Sequence, residues 1–225
     1  VHLVKILKIG LPAGFQSSLF SLSNTVIQSA VNSMGEAAIA GGGAAASINT
    51  MLHTSTSAFN NAALTFTSQN IGAKKYSRIN KILFCAEGCA MVAGLVFGNL
   101  AFLFGRPLLS IYTDSPESID AGMVRLAIIC TTYLLCGMMD TIVGSIRGMG
   151  YGVTPTIVSM IGACGLRLVW IGTIFQIPKF HTPEVLFTSY PVTWTVTLLA
   201  HLVCFLIMRK KFPKADEVTE SATTV

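Results

Sequence analysis

Residues Ile82–Phe104 read ILFCAEGCAMVAGLVFGNLAFLF, 23 positions with one formal charge, at Glu87. A hydrocarbon core about 30 Å thick takes roughly 20 helical residues to cross, so the stretch reads as a membrane span. Five more stretches of similar length and apolarity lie at about 10–34, 41–70, 119–145, 153–177 and 187–208. The expectation is an all-α integral membrane protein: a six-transmembrane-helix bundle over 1–208, then a polar tail at 209–225.

The charges between these spans sort by side. The connections on one side, with both ends of the chain, hold Lys5, Lys8, Lys74, Lys75, Arg78, Lys81, Arg147, Arg209, Lys210, Lys211 and Lys214. The other side holds only Arg106 and Lys179, against Glu36, Asp114, Glu117, Asp120 and Glu184. Basic loops are retained in the cytoplasm, which predicts a multi-pass protein of the cell membrane with both termini and the 71–81 and 146–152 connections inside. An even number of spans requires the same.

Charged residues make up 11% of the chain and hydrophobic ones 52%, and mean hydropathy is +0.65. A soluble domain carries about 25% charged residues, so the chain lacks a surface for water. The net charge of +5 does not point to nucleic acid, because the basic residues collect on one membrane face, where they meet anionic lipid. Cys85, Cys89, Cys130, Cys136, Cys164 and Cys204 all fall inside apolar spans without metal-ligand or redox spacing, so neither a metal site nor disulfides are expected. The chain opens at Val1 with no signal-peptide pattern, and is expected to be part of a longer protein.

Two spans are too polar to face lipid. Span 1 carries Gln16, Asn24, Gln28 and Asn32 at multiples of four residues, interrupted by Phe20, and opens Gly10-Leu11-Pro12 with proline expected in the first turn. Span 2 carries Asn49, His53, Ser57, Asn61, Thr65 and Gln69 every four residues, with Asn60 beside them. Polar groups in hydrocarbon need partners or water. The reading is a hydrated cavity, with Asn24, Gln28, Asn49, His53, Ser57 and Asn61 as candidate lining. In span 3, Ala86, Ala90, Gly94 and Gly98 form a small-residue face for close helix packing.

Asp140 lies seven residues before Arg147, roughly 10 Å inside the cytoplasmic boundary. Acids at such depth mark ion or substrate paths, which makes Asp140 the candidate ion-coupling residue. Arg167 is the structural charge that would pair with it, but lies some 10 Å deeper along the membrane normal. Arg125 is expected to snorkel towards Asp114–Asp120, Glu87 to sit at the interface, and His201 to be a structural hydrogen-bonding group. Gly144, Gly148, Gly150 and Gly152 mark either a hinge or a tight inner turn.

Taken in order, these motifs resemble the MATE family of multidrug and toxic compound extrusion transporters. The resemblance rests on Gly10-Leu11-Pro12 before a Ser/Asn/Gln-rich helix and on Gln69-Asn70-Ile71-Gly72-Ala73-Lys74-Lys75-Tyr76. It continues through Met139-Asp140 with Ile146-Arg147-Gly148-Met149-Gly150, and ends at Gly165-Leu166-Arg167. Members have twelve membrane helices in two lobes, and this chain looks like the second. The resemblance implies export of drugs or small organic cations coupled to sodium or proton entry, with no other cofactor and no enzyme activity. It also implies a missing N-terminal six-helix lobe as partner within the bilayer. Asp140 matches the acid of the cation site in one branch, whereas Phe20 stands where that branch has a glutamate, which puts a sodium site in doubt. A lipid-linked precursor flippase is the alternative within the superfamily. An intramembrane serine protease is excluded, since no Gly-x-Ser-x-Gly or Gly-x-Ser-Gly loop accompanies His201.

Overall fold

The computed structural model describes residues 2–213, the side chains of 2–13 and 15–17 lying outside that description. The tail expected from 209 is therefore outside the described residues from Lys214 onward, as are the side chains of Pro12 and Gln16. In chain order come α1 (His2–Asn32), α2 (Glu36–Gly72), α3 (Ile79–Leu103), short α4 (Gly105–Ser110), α5 (Pro116–Ile129), α6 (Tyr133–Gly148), α7 (Val153–Ser159), α8 (Leu166–Gly172) and α9 (Pro183–Arg209). A π turn, Met160–Gly165, joins α7 to α8.

Several boundaries differ from expectation. α1 starts at His2, so Pro12 lies inside a helix rather than in its first turn; the run His2–Ile9, free of glycine and proline, extends it backwards. By length and composition, three helical runs among the described residues qualify as spans: Tyr76–Leu103, Val153–Gln176 and Pro183–Arg209. α5 and α6 qualify as a pair bent by 50°. The 37-residue α2 is long enough but is not among them, because its polar ladder dilutes its apolarity.

The stretch expected as one span at 119–145 is thus broken at Cys130-Thr131-Thr132. Thr131 Oγ1 donates to the Ala127 carbonyl at 2.5 Å and Thr132 Oγ1 to that of Ile128 at 2.6 Å. Such back-bonding competes with the helix ladder and bends it. The π turn likewise inserts a residue, rotating α8 by about 100° relative to a continuous α-helix.

Glycines let the helices touch. A Cβ on Gly94 would stand 2.6 Å from Leu134 Cα, and one on Gly98 would collide with the Cys130 carbonyl, so the small face of α3 seats the α5–α6 bend. Gly144 meets the Asn60 backbone and Gly148 the Leu64 carbonyl, joining α6 to α2. Gly150, at φ +90°, makes the tight turn after α6. Of the two expected roles for this glycine cluster, hinge or tight inner turn, the turn is what Gly150 makes, while Gly144 and Gly148 serve close packing instead.

One apolar cluster joins α1, α2, α5, α6 and α9 through residues such as Ile27, Ile48, Leu126, Phe187 and Trp194. A second, Ile79, Leu83, Ile142, Ile146, Met149, Phe205 and Met208, closes one end of the bundle. At that end Arg209 donates from Nε to Asn80 Oδ1 (3.0 Å) and from Nη2 to the Tyr76 carbonyl (2.9 Å). Tyr76 and Tyr151 both pack on Phe212, so the 71–81 connection, the 146–152 connection and the end of α9 share one face. His201 is fully buried, with Nε2 3.0 Å from Ser159 Oγ. Phe84, Leu103, Met51 and Val169 are exposed, an apolar exterior suited to lipid.

Candidate functional site

A cavity of about 630 Å³ lies on the inner side of the α5–α6 bend, walled by α1, α2, α5, α6, α8 and α9. From α1 come Phe20, Asn24 and Gln28; from α2, Asn49, His53, Ser57 and Asn60; from α6, Tyr133, Cys136, Met139, Asp140 and Arg147. Arg125 on α5, Arg167 on α8, and Tyr190 and Trp194 on α9 complete the wall. Five of the six candidate lining residues therefore meet here.

Asn61 does not. It is exposed on another face, and Asn60 takes its place, donating from Nδ2 to the Asp140 carbonyl at 2.6 Å. The reason is helical arithmetic. A step of four residues overshoots a turn by about 40°, so Asn61 has drifted about 120° from Asn49, whereas Asn60 is only about 20° away. The four-residue ladder was the visible signal, and the 3.6-residue face was the one that mattered.

Asp140, 24% exposed, has Oδ2 3.8 Å from Nδ1 of His53. Arg147, about two turns further along α6, acts on the same carboxylate, as does the His53 imidazole. Cys136 brings Sγ into this group: ligand atoms of His53, Cys136 and Asp140 all lie within 4.8 Å of one another. Asn49, one turn before His53 on α2, is fixed by α5–α6, its Oδ1 accepting from Cys130 Sγ and its carbonyl from the Tyr133 hydroxyl. Among the described residues Asp140 is the only carboxylate in the lining. Phe20 occupies the wall where a second could stand.

The direct Asp140–Arg167 pair is not formed. Arg167 is 3% exposed, lies 3.9 Å from the Tyr190 ring centroid and donates from Nη2 to Thr193 Oγ1 at 3.3 Å. The rotation imposed by the π turn two residues earlier sets where it emerges. Arg125 does not snorkel either: it is 8% exposed, donates from Nη1 to the Gly42 carbonyl and lies over Phe187. Asp120 pairs instead with Arg106 at 2.6 Å. Glu87, expected at the interface, lies off the cavity with both carboxylate oxygens buried and unpartnered.

The chain has relatives among known proteins. The family profile MatE matches residues 12–171. The chain is 26% identical over 199 residues to the probable multidrug resistance protein YoeA of Bacillus subtilis, covering 88% of this chain and 42% of that one. It is 22% identical to the probable multidrug resistance protein NorM of Thermotoga maritima, covering 81% and 43%. The Vibrio cholerae MATE transporter VcmN in its bent form superposes with a TM-score of 0.81 at 17% identity, covering 92% and 46%. The chain thus spans less than half the length of each. MATE proteins are transporters, not enzymes, and with its profile matched over most of its length the chain belongs to the MATE family of helical membrane proteins.

Proposed function

We propose that this chain is one lobe of an alternating-access exporter, with the cavity as substrate site and the Asp140–His53 pair as coupling site. The observation that carries the reading is the single carboxylate of the cavity standing beside a titratable imidazole. Alternating access needs two bodies moving against each other around a shared site. The second body is a further six-helix lobe, from the same polypeptide or from another copy of this chain, in keeping with the greater length of the relatives. A cavity of about 630 Å³ has the size of a drug-binding site. Apolar Ile27, Ile129 and Trp194 among amides suit an amphipathic organic molecule, without requiring it to be a cation.

The coupling ion that fits best is the proton. Sodium is a hard cation that takes oxygen ligands, and the group around Asp140 offers one carboxylate, an imidazole and a thiol. A carboxylate beside an imidazole can change its charge by exchanging protons alone. In proteoliposomes of the full-length protein, a pH gradient is expected to drive substrate accumulation. A sodium gradient of equal size at clamped pH is expected to drive none. Sodium-driven accumulation under those conditions would sink the proton assignment.

Orientation is read from the shared face of the 71–81 and 146–152 connections and from their basic residues. We place that face in the cytoplasm. A membrane-impermeant maleimide should label a cysteine introduced at His181 in intact cells, and one at Lys75 only after permeabilisation. The opposite pattern reverses the topology.

A further inference from the structure

Two guanidiniums in the cavity wall meet no carboxylate among the described residues. Arg125 and Arg167 are both more than nine-tenths buried, and the Nε of each is buried without a hydrogen-bond partner. The His53–Asp140 contact and the Arg106–Asp120 salt bridge involve neither. Besides one neutral acceptor each, the Gly42 carbonyl for Arg125 and Thr193 Oγ1 for Arg167, what holds the two arginines is an aromatic face of α9. Arg125 lies 5.3 Å from the Phe187 ring centroid and Arg167 3.9 Å from that of Tyr190. Those rings are three residues apart, about 4.5 Å along the helix axis, so one face of α9 presents both cations from adjacent turns.

A guanidinium cannot shed its charge in a protein, and a buried charge demands a paired counter-charge. Ring contacts offset only part of that demand. Within the cavity the one acid already faces His53 and Arg147. We infer that the cavity binds an amphipathic anion, its phosphate or carboxylate held between Arg125 and Arg167 and its apolar body lying along Ile129 and Trp194. The inference rests on the reading of this cavity as the substrate site and names the class of that substrate. It departs from the organic cations that the family resemblance implies.

The test is calorimetric binding to the full-length protein in neutral detergent, using two soluble probes of matched size and opposite charge. Phenyl phosphate is expected to bind at least about tenfold more tightly than phenyltrimethylammonium. Arg125→Gln and Arg167→Gln should each weaken phenyl phosphate about tenfold, the loss of one charge-assisted hydrogen bond. Arg→Lys at either position should keep the preference for anions. Farnesyl pyrophosphate binding more tightly than phenyl phosphate would assign the anion to a lipid-linked source, and the reverse order to a soluble organic phosphate. Equal or tighter binding of the cation overturns the inference, as does failure of every anion to bind. Unchanged phenyl phosphate affinity in a folded Arg125→Gln/Arg167→Gln double variant overturns it too. Should the glutamine variants not fold, the anion-to-cation comparison in the unaltered protein decides alone. Because binding needs no gradient, anion binding without proton-driven transport would leave this inference standing and remove the coupling proposal. Proton-driven export of cations alone would do the opposite.

Discussion

Replacing Asp140 by Asn in the full-length protein is expected to abolish gradient-driven transport, by about 100-fold or more, while leaving the protein folded and inserted. Asparagine keeps the size of the side chain and cannot ionise, so it removes the proton-exchanging group of the coupling site. The structure gives little reason for collapse. The Asn60 amide bonds the backbone carbonyl of residue 140, which the substitution preserves. Arg167 does not use the carboxylate, being held by Tyr190 and Thr193. A structural ion pair with Arg167 would instead make Asp140→Asn and Arg167→Ala both misfold. Measuring efflux with detergent melting temperature separates the two accounts. Lost efflux with a melting temperature within a few degrees of the parent supports coupling, and continued export against a gradient ends that role for Asp140. His53→Ala, which removes the facing imidazole, should slow transport and shift its pH profile without abolishing it.

Much of this architecture was legible in residues whose chemistry admits one environment. Ile82–Phe104 has nowhere to go but a bilayer, and the α3 ladder Ala90, Gly94, Gly98 has no use except close approach. Asp140 was found because an acid at that depth is expensive. The bend at Cys130–Thr132 was not foreseen, since threonine back-bonding leaves hydropathy unchanged and the flanking apolar runs merge into one. The π turn at Met160–Gly165 was hidden for the same reason, and with it the exit direction of Arg167. Arg125 shows a different failure. Its nearest acids in sequence suggested a snorkelling pair, but the helix face it occupies turns inward onto Gly42 and Phe187. Sequence distance gives depth in the membrane, and only packing gives the direction around the helix.

Gly144→Val is expected to destabilise the bundle strongly. A Cβ at Gly144 would collide with the Asn60 carbonyl oxygen and stand 3.0 Å from its carbonyl carbon. Both obstacles are backbone, which cannot swing aside as a side-chain tip can. Relief requires α2 and α6 to separate where Asn60 bonds the Asp140 carbonyl, so packing and that hydrogen bond are lost together. Overpacking alone costs about 1–3 kcal/mol, and the hydrogen bond about 1 more. At roughly 2–4 °C per kcal/mol for a chain of this size, the melting temperature should fall by about 5–15 °C, with transport lost because the coupling site shifts with α6. Gly88→Ala is the control. Gly88 is also inside a helix, α3, but a Cβ there meets nothing within 4 Å. Removing a glycine from a helix interior stabilises by about 0.5–1 kcal/mol, so this variant should melt at or slightly above the parent and transport normally. Equal melting temperatures for the two variants would mean that α2 and α6 do not touch at Gly144, and the cavity wall they form together would have to be redrawn.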